Sequence, residues 1–470
     1  MKRRDFFKNT ALTAIGAALL SPFETLARKS YRFSDNTSSA KNIIFMVSDG
    51  MSTGTLNMAN LLLQRKEGRQ SNWLALYEES RVSRALMDTA SASSLITDSA
   101  AASSSWGGGK RVNNGSLNVN ADGSFNKPIL QKFKAAGKAV GCVTTVPITH
   151  ATPAGFCINS DKRSDQPGIA LMYHDLRFDV MMGGGTEFFS AEKRSDKQDL
   201  FKKYRSSGFS VLNNRDDLFN LAGNDNQPVI GVFHEDGLPY ALDRSNSKTL
   251  VSATPSLAEM TKAAIERMKN NPKGFVLQVE GGKVDWAAHA NDAGALIYDQ
   301  IAFDDAIAEA IRFAEKDKET LVVITTDHGN ANPGLFYGSK ANENFDRIQH
   351  FKYTNDWILN RVNKTDSPAS LVERIHFAQG YAITTEEAKQ LLDHYQTRDG
   401  EGLYNPRKLP FKLLAQIQEN HLSVGWGAMD HSADYVELAM FGPGSERLKP
   451  FVRNVELHNF LLETAGVPLS

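Results

Sequence analysis

The sequence is poor in cysteine, and its acidic and basic residues nearly cancel. Only 2 of its 470 residues are cysteines, Cys142 and Cys157, and no C-x-x-C metal-binding pair is present. The two could form one disulfide or remain as two buried free thiols. With 53 Lys and Arg against 54 Asp and Glu, the net charge is −1. No overall charge therefore attracts nucleic acid or anionic membranes, and any recognition of an anion must be local.

Internal repeats, low-complexity tracts and a P-loop are also missing. The stretch Gly107-Gly108-Gly109-Lys110 is rich in glycine, but it lacks the P-loop spacing and the Ser or Thr that follows the P-loop lysine. What is present is 41% hydrophobic residues, which is enough for a large buried core in one big domain or two smaller ones.

Apolar runs long enough to span a bilayer are absent, and the first 27 residues have the order of a targeting signal. Basic residues, among them Arg3 and Arg4, precede an apolar run at residues 10–20 and a small-residue site near Ala27. Two arginines before two phenylalanines resemble a twin-arginine export signal. The alternative, a short membrane anchor, fits less well because the run is well below the roughly 20 residues that span a bilayer. We therefore predict a periplasmic or secreted mature protein without a membrane span.

Apolar runs of strand length alternate with helical segments along the rest of the chain. Strands are predicted at residues 42–48, 139–145, 178–182, 274–279, 321–326 and 435–441, and helices at residues 127–137, 256–268, 291–315 and 454–465. Continuous apolar runs are typical of strands that are buried on both faces of a parallel sheet. We predict an α/β fold with a doubly wound, mostly parallel sheet flanked by helices.

Residues 331–425 interrupt this alternation. They contain polar and helical segments, such as residues 384–397, and no equally clear buried strand. We interpret them as a late insertion into one catalytic domain, residues 40–470, rather than as a second catalytic domain.

Ser99 is predicted to lie at a helix N-terminus. A short apolar run stops at Asp98 and Ser99, and three alanines that favour a helix follow. Backbone N–H groups and the dipole at such an end favour an anion, either a deprotonated serine oxygen or a bound phosphate. Taken alone, the stretch is more often a plain N-cap, so the functional interpretation depends on residues elsewhere in the chain.

Acidic, imidazole, hydroxyl and guanidinium side chains lie mostly at predicted strand ends or in the loops just after them. Asp285 and His289 are spaced i, i+4, so they project from one helix face and can chelate one ion. Each residue alone has a plainer explanation, such as a turn aspartate or a stray histidine. Because the carboxyl ends of parallel strands meet at one edge of a sheet, all of them can share a pocket. The set comprises Asp49, His150, Thr152, Arg163, Glu280, Asp285, His289, Asp327, His328 and His431. Of these, His150 and Thr152 fall in residues 149–156, which their proline and glycine content predicts to be a loop.

These side chains suit the chemistry of a phosphate monoester. Zinc accepts carboxylate and imidazole ligands, whereas carboxylate with hydroxyl suits magnesium. Two cations can clamp the attacking and leaving oxygens, and an arginine fork can grip the remaining phosphate oxygens. A serine at a helix start can then attack in line.

The ordered set of motifs, from Asp49-Gly50 through Asp98-Ser99 to Asp327-His328 and His431, resembles the alkaline phosphatase family from residue 42 onward, apart from the insertion. The resemblance implies hydrolysis of small phosphate monoesters through a phosphoserine on Ser99, with Arg163 gripping the phosphate. It implies one zinc at Asp49, Asp327 and His328, a second zinc at Asp285, His289 and His431, and one magnesium at Asp49, Thr152 and Glu280 with His150 beside it. Homodimers are common in this family, but the insertion could promote or block that contact.

Two residues depart from the enteric bacterial pattern of the family. His150 stands where that pattern has an aspartate, and Trp286 stands where it has a lysine, although some relatives carry the same residues. We expect these changes to affect the strength of magnesium binding and the pH optimum. The sequence does not decide whether magnesium or zinc occupies the third site.

Three other functions are disfavoured by specific residues. A sulfatase needs a C/S-x-P-S-R sequence at the nucleophile, which Ser99-Ala100-Ala101-Ala102-Ser103 lacks. Phosphodiesterase relatives generally lack the third metal site and the arginine, whereas Thr152, Glu280 and Arg163 are all present here. An inactive metal- or phosphate-binding homologue would not need the full set of nucleophile and ligands. The sequence does not indicate which phosphate ester is used in the cell.

Overall fold

The strands of the chain form one large sheet and two small ones in a computed structural model that describes residues 39–221, 227–363, 365–396 and 409–469. They are β1 Asn42–Val47, β2 Ser83–Met87, β3 Ala139–Pro147, β4 Val180–Gly184, β5 Ser210–Leu212, β6 Val229–Val232, β7 Phe275–Glu280, β8 Thr320–Thr325, β9 Gly329–Asn330, β10 Gly334–Leu335, β11 Val424–Gly425, β12 His431–Ser432, β13 Val436–Phe441 and β14 Phe451–Val452.

Helices connect most of the strands. They are α1 Thr53–Glu67, α2 Asn72–Glu78, α3 Ser99–Gly107, α4 Ile129–Ala135, α5 Ala151–Cys157, α6 Gln166–Leu176, α7 Leu200–Ser206, α8 Arg215–Phe219, α9 Ala241–Ser245, α10 Lys248–Ala253, α11 Leu257–Met268, α12 Lys283–His289, α13 Ala293–Asp317, α14 Ala341–Asp346, α15 Asn355–Leu359, α16 Pro368–Gln379, α17 Thr385–Gln396, α18 Phe411–Leu422 and α19 Glu456–Thr464.

The large sheet has ten strands in the order β14-β2-β13-β8-β1-β7-β3-β4-β6-β5. Its strands are parallel except for β13, which runs antiparallel to both β8 and β2. Successive residues of β1 contact two different apolar cores, because Ile44 and Met46 face one core while Ile43 and Phe45 face the other. Both faces of the sheet are therefore covered, and the predicted mostly parallel α/β fold is confirmed.

The predicted strands and helices correspond to β1, β3, β4, β7, β8 and β13 and to α4, α11, α13 and α19, with shifts of one or two residues at most ends. The start of α11 shows why the local sequence suffices there. Ser256 accepts a hydrogen bond from the backbone N–H of Glu259, and the Glu259 carboxylate accepts one from the backbone N–H of Ser256. This reciprocal capping box fixes the first turn of the helix.

The prediction of a loop at residues 149–156 is wrong, because residues 151–157 form helix α5. Pro153 falls in the first turn, where a backbone N–H has no hydrogen-bond partner within the helix, so the absence of one in proline costs nothing. Gly155 allows α5 to pack closely on α3, since a Cβ at this position would lie 2.1 Å from Ser103 Oγ. Both residues therefore serve a helix rather than breaking one.

The segment predicted to be an insertion contains α14 to α18 and begins and ends at a short antiparallel pair of strands. In this pair, Gly334 lies opposite Gly425 and Leu335 opposite Val424, so the two ends of the segment are held together. Such pairing is what an insertion requires, and the domain boundary itself stays a prediction.

Among the residues that the structure describes, no helix combines the length and apolar character needed to cross a membrane. The predicted signal peptide, residues 1–27, lies outside the described residues.

Candidate active site

Four adjacent parallel strands bring the predicted site residues to one edge of the sheet. β8, β1, β7 and β3 are neighbours in this order, and Asp327, Asp49, Glu280 and His150 lie at or just beyond their carboxyl ends. The antiparallel direction of β13 places its amino end at the same edge, and His431 lies just before it. The edge therefore collects ligands from both directions of the chain.

Ser99 is the first residue of α3 and is buried. Asp98 caps this helix, because its carboxylate accepts a hydrogen bond of 3.0 Å from the backbone N–H of Ala101. Ser99 Oγ lies 3.3 Å from His328 Nε2. A helix start favours negative charge, so the local field stabilises a serine alkoxide or a phosphate at this oxygen.

Asp49, Asp327 and His328 form a first trio around that oxygen. His328 Nε2 lies 3.5 Å from Asp49 Oδ1 and 3.2 Å from Asp327 Oδ2. All three side chains are fully buried, and neither carboxylate oxygen has a hydrogen-bond partner among the described residues. Burial, together with the neighbouring carboxylates of Asp327, Asp285 and Glu280, raises the pKa of Asp49 well above its usual value. Such atoms are costly to bury without a cation.

Asp285, His289 and His431 form a second trio. Each histidine Nδ1 donates a hydrogen bond to a backbone carbonyl, His289 to Met429 at 2.7 Å and His431 to Thr97 at 2.9 Å. In a neutral imidazole this leaves Nε2 unprotonated, with a lone pair available to a proton or a metal ion. The two Nε2 atoms lie only 3.0 Å apart, and each is 3.5 Å from an Asp285 oxygen. A proton or a metal ion must therefore lie between them.

The pKa shifts of Asp285 and His431 also indicate that the second trio favours a positive charge. Burial opposes ionisation of Asp285, but the nearby His289 and His431 imidazoles hold its pKa well below the usual range. Burial lowers the pKa of His431, yet its hydrogen bond and charge interaction with Asp285 prevail and raise that pKa to about 9. A protonated His431 cannot ligate a metal, so metal binding here must release a proton.

Asp49, His150 and Glu280 form a third trio with Thr152 beside it. Thr152 Oγ1 donates a hydrogen bond of 3.3 Å to Asp49 Oδ2. Glu280 Oε1 and His150 Nδ1 are buried without a hydrogen-bond partner in the described part of the chain. Burial raises the pKa of Glu280 to about 7. Burial and the adjacent Arg163 lower the pKa of His150 to about 3, so its imidazole is neutral and available as a ligand.

Arg163 lies between Asp98 and His150. Its Nη1 donates a hydrogen bond of 3.0 Å to Asp98 Oδ2, and its Nη2 lies 3.2 Å from His150 Nε2. The guanidinium is thus fixed to the residue that caps α3, one position before Ser99. Trp286 packs near the same histidine, with the two ring centroids 6.1 Å apart.

Three supporting residues were not predicted from the sequence. Thr144 donates a hydrogen bond to Glu280 Oε2, and Asn330 donates one of 2.7 Å to Asp285 Oδ1. Gly50 has φ of +64°, and a Cβ there would lie 2.4 Å from Asp285 Oδ1. A glycine directly after Asp49 and a polar Asn close to Asp327-His328 were visible signals, whereas Thr144 is hidden inside an apolar strand.

Cys142 and Cys157 lie side by side but are not among the site residues described above. Both are buried free thiols, and their Sγ atoms are 3.7 Å apart, farther than the roughly 2.05 Å of a disulfide.

The donor chemistry fits three cations. All three trios combine carboxylate with imidazole, which are ligand types that zinc accepts, and only the third has a hydroxyl beside it, that of Thr152, which suits magnesium. Each trio groups ligand atoms that lie within 4.8 Å of one another. The unpartnered buried oxygens of Asp49, Asp327 and Glu280 are what such ions would satisfy.

Comparison with known proteins gives a consistent result. The model of the family described as "Alkaline phosphatase" matches residues 40–467. "Alkaline phosphatase 4" of Bacillus subtilis is 28% identical, with the alignment covering 98% of this chain and 99% of that protein. "Alkaline phosphatase 3" of the same organism is also 28% identical, over 90% of this chain and 88% of that protein.

A solved structure extends the similarity to the fold. The crystal structure of Thermus thermophilus alkaline phosphatase aligns with a TM-score of 0.85 at 28% identity and covers 96% of this chain and 97% of that one. Alkaline phosphatases are metal-dependent phosphomonoesterases, in keeping with the trios and the serine described above. This chain belongs to the alkaline phosphatase family.

Proposed function

We propose that this chain hydrolyses phosphate monoesters through a phosphoserine on Ser99, using two zinc ions and one magnesium ion. The observation that carries the proposal is the position of Ser99 Oγ, at a helix start and 3.3 Å from His328 Nε2 of the first trio. A buried serine at such a point lies in the field of the helix dipole and beside an imidazole that would ligate a metal ion.

The first two trios would hold the zinc ions, and the third trio together with Thr152 would hold the magnesium ion. Asp49, Asp327 and His328 would bind one zinc, Asp285, His289 and His431 the second, and Asp49, Thr152 and Glu280 the magnesium, with His150 beside it. When bound, these ions would lower the pKa of the Ser99 hydroxyl and of a later attacking water, and would stabilise the leaving oxygen.

The chain's own residues would then orient the phosphoryl group. Ser99 Oγ loses its proton and forms a bond to phosphorus while the bond from phosphorus to the ester oxygen breaks, and the ester oxygen takes up a proton and leaves as the alcohol. Water later attacks phosphorus, the bond from phosphorus to Ser99 Oγ breaks, and a proton from the water restores the Ser99 hydroxyl as inorganic phosphate leaves. Arg163 would grip two non-bridging oxygens, because its guanidinium is already oriented by Asp98.

A metal and activity measurement tests this proposal. We expect dialysis against a strong chelator to abolish turnover of p-nitrophenyl phosphate, and zinc with magnesium to restore it. Metal analysis of the restored enzyme should give two zinc ions and one magnesium ion per chain. Activity that survives exhaustive chelation would contradict the proposal, and faster turnover of p-nitrophenyl sulfate or of a phosphodiester would favour the two related functions instead.

We also propose export by the twin-arginine route. The support is the sequence of residues 1–27 alone, in which Arg3 and Arg4 precede the apolar run. Replacing both with lysine should retain the precursor in the cytoplasm, whereas an unchanged periplasmic yield would indicate the general secretory route. A homodimer stays a prediction that sedimentation or light scattering can test.

A further inference from the structure

A large cleft opens beside the second trio. Its volume is about 1710 Å³, and its lining includes Trp286 and His289 as well as Trp357 and Arg361 of the segment predicted to be an insertion. Pockets that hold drug-sized ligands measure roughly 300 to 1,000 Å³, so this cleft can hold far more than a phosphate group. It has room for the organic part of a substrate.

The position of His289 relates the cleft to the reaction. Ser99 Oγ lies against His328 of the first trio, whereas His289 belongs to the second trio and lines the cleft. In the proposed function the zinc at the first trio would face the attacking oxygen of Ser99, so the zinc at the second trio would stabilise the leaving oxygen. An in-line displacement places the leaving group opposite the attacking oxygen, so the leaving group would extend into the cleft.

One wall of the cleft is a braced aromatic surface. The ring of Trp357 stacks on Tyr353, with centroids 4.2 Å apart and planes 15° apart. Arg361, which is exposed, lies over the other face of the Trp357 ring, with its Cζ 4.2 Å from the centroid, so the flat surface that this wall offers is the outer face of the guanidinium. Tyr240 and Trp286 also line the cleft, with Lys283 over both rings. A guanidinium plane held in this way stacks well on a flat aromatic ring.

The charge of the lining restricts what else the occupant can carry. Six Asp or Glu residues line the cleft against three Lys or Arg residues, and one of the six, Glu235, forms an ion pair with Lys193 outside the lining. One of the three, Lys283, is already engaged, because its Nζ lies 3.6 Å from the Tyr240 centroid and 4.5 Å from the Trp286 centroid. Asp236 is exposed next to Gly237, whose backbone packs on Trp286. A second anionic group on the substrate would therefore meet net negative charge.

We propose that this cleft is a leaving-group subsite that favours phosphate monoesters whose leaving group carries an aromatic ring and no further negative charge, such as a nucleoside 5′-monophosphate. The proposal rests on the proposed function, because the direction of the leaving group follows from the roles assigned to Ser99 and the second trio.

Adenosine 5′-monophosphate and ribose 5-phosphate form the test pair, because they differ in the base and share a primary alcohol as leaving group. We expect the wild-type kcat/KM to be about fivefold or more higher for the nucleotide, and Trp357→Ala to reduce this ratio about twofold to tenfold. The ratio is independent of the folded fraction, since both substrates report on the same active molecules. If Trp357→Ala does not fold, Arg361→Ala tests the same wall.

Tyr337→Ala serves as the control, because Tyr337 is a fully exposed aromatic residue outside the cleft lining, and its ratio should equal that of wild type. A wild-type ratio near one, or an unchanged ratio in the wall variants, would overturn the subsite. If neither ester is hydrolysed, the proposed function fails instead, so the two failures are distinguishable.

Asp236→Asn tests the part of the proposal that concerns charge. We expect it to raise kcat/KM for 3-phosphoglycerate about twofold to fivefold relative to glycerol 3-phosphate at low salt, and expect the gain to shrink at high salt. An equal response of the two substrates would refute the exclusion of anionic leaving groups.

Discussion

Replacing Asp49 with asparagine should stabilise the protein in chelator and destabilise it in zinc and magnesium. The Asp49 side chain is fully buried, and its Oδ1 has no hydrogen-bond partner within the described residues. Asp327 and Glu280 each place a carboxylate oxygen within 4.8 Å of an Asp49 oxygen. Without cations, burial and mutual repulsion raise the pKa of Asp49, so the folded state bears a penalty that asparagine removes.

The structure sets the size of this effect. At the upper limit of 4.8 Å on their separation and an effective dielectric constant of about 20, each pair of ionised carboxylates repels by roughly 3 kcal/mol or more. Proton uptake limits the total, because protonating a carboxyl of ordinary pKa 3.8 at about pH 8 costs roughly 6 kcal/mol. Asp327 and Glu280 could take up the proton in place of Asp49, so the Asp49 charge accounts for only part of this cost. We therefore expect Asp49→Asn to raise the free energy of unfolding in chelator by about 2 to 4 kcal/mol.

With metals present, the sign should reverse. Asp49 is shared by the first and third trios, and its loss weakens both. A 100-fold weaker affinity for one saturating ion alone lowers the free energy of unfolding by about 2.7 kcal/mol. The two conditions should therefore move the stability of the same variant in opposite directions.

Urea unfolding followed by tryptophan fluorescence, in chelator and in zinc with magnesium, measures both effects. Asp216→Asn is the matched control, because Asp216 is an exposed carboxylate in the first turn of α8, where substitution changes stability by no more than about 0.5 kcal/mol. A destabilisation by Asp49→Asn of the same size in both media would refute the view that cations balance the carboxylates.

Three further changes test individual residues. Ser99→Ala should lower kcat by several powers of ten with folding intact, and labelled phosphate trapped on any other residue would refute the assignment. Gly50→Ala should cost about 1 to 3 kcal/mol in unfolding free energy and weaken zinc binding through displacement of Asp285; calorimetry and zinc titration measure these effects, and wild-type values for both would contradict the steric argument. His150→Asp should tighten magnesium binding on the order of 1 to 3 kcal/mol and reduce inhibition by excess zinc, and superimposable magnesium titrations would show that residue 150 does not tune the third site.

The local sequence was sufficient where an element carries its own signals. β1, β7 and β8 are apolar runs buried on both faces, and each was predicted within two residues of its observed ends. The start of α3 was equally readable, because Asp98 caps it and three alanines follow Ser99. In these segments, burial and capping depend on residues next to one another in the chain.

Local signals failed at α5. Pro153 and Gly155 indicate a loop when read as isolated residues, yet the helix survives because Pro153 lies in its first turn and Gly155 gives the closeness that contact with Ser103 demands. The need for glycine at position 155 comes from its contact with Ser103, about fifty positions earlier in the chain. Hydrophobic periodicity does not report such a contact.

The ligand types and their order along the chain were determined by the sequence, but their grouping was a tertiary property. Asp49 belongs to two trios because β1 lies between β7 and β8, and His431 reaches the edge because β13 runs antiparallel beside β8. The cleft likewise exists because Trp357, from the segment predicted to be an insertion, lines the same space as His289 of α12. Such contacts join residues that are far apart in sequence, and which of them meet depends on strand order and direction, which apolar runs alone do not specify.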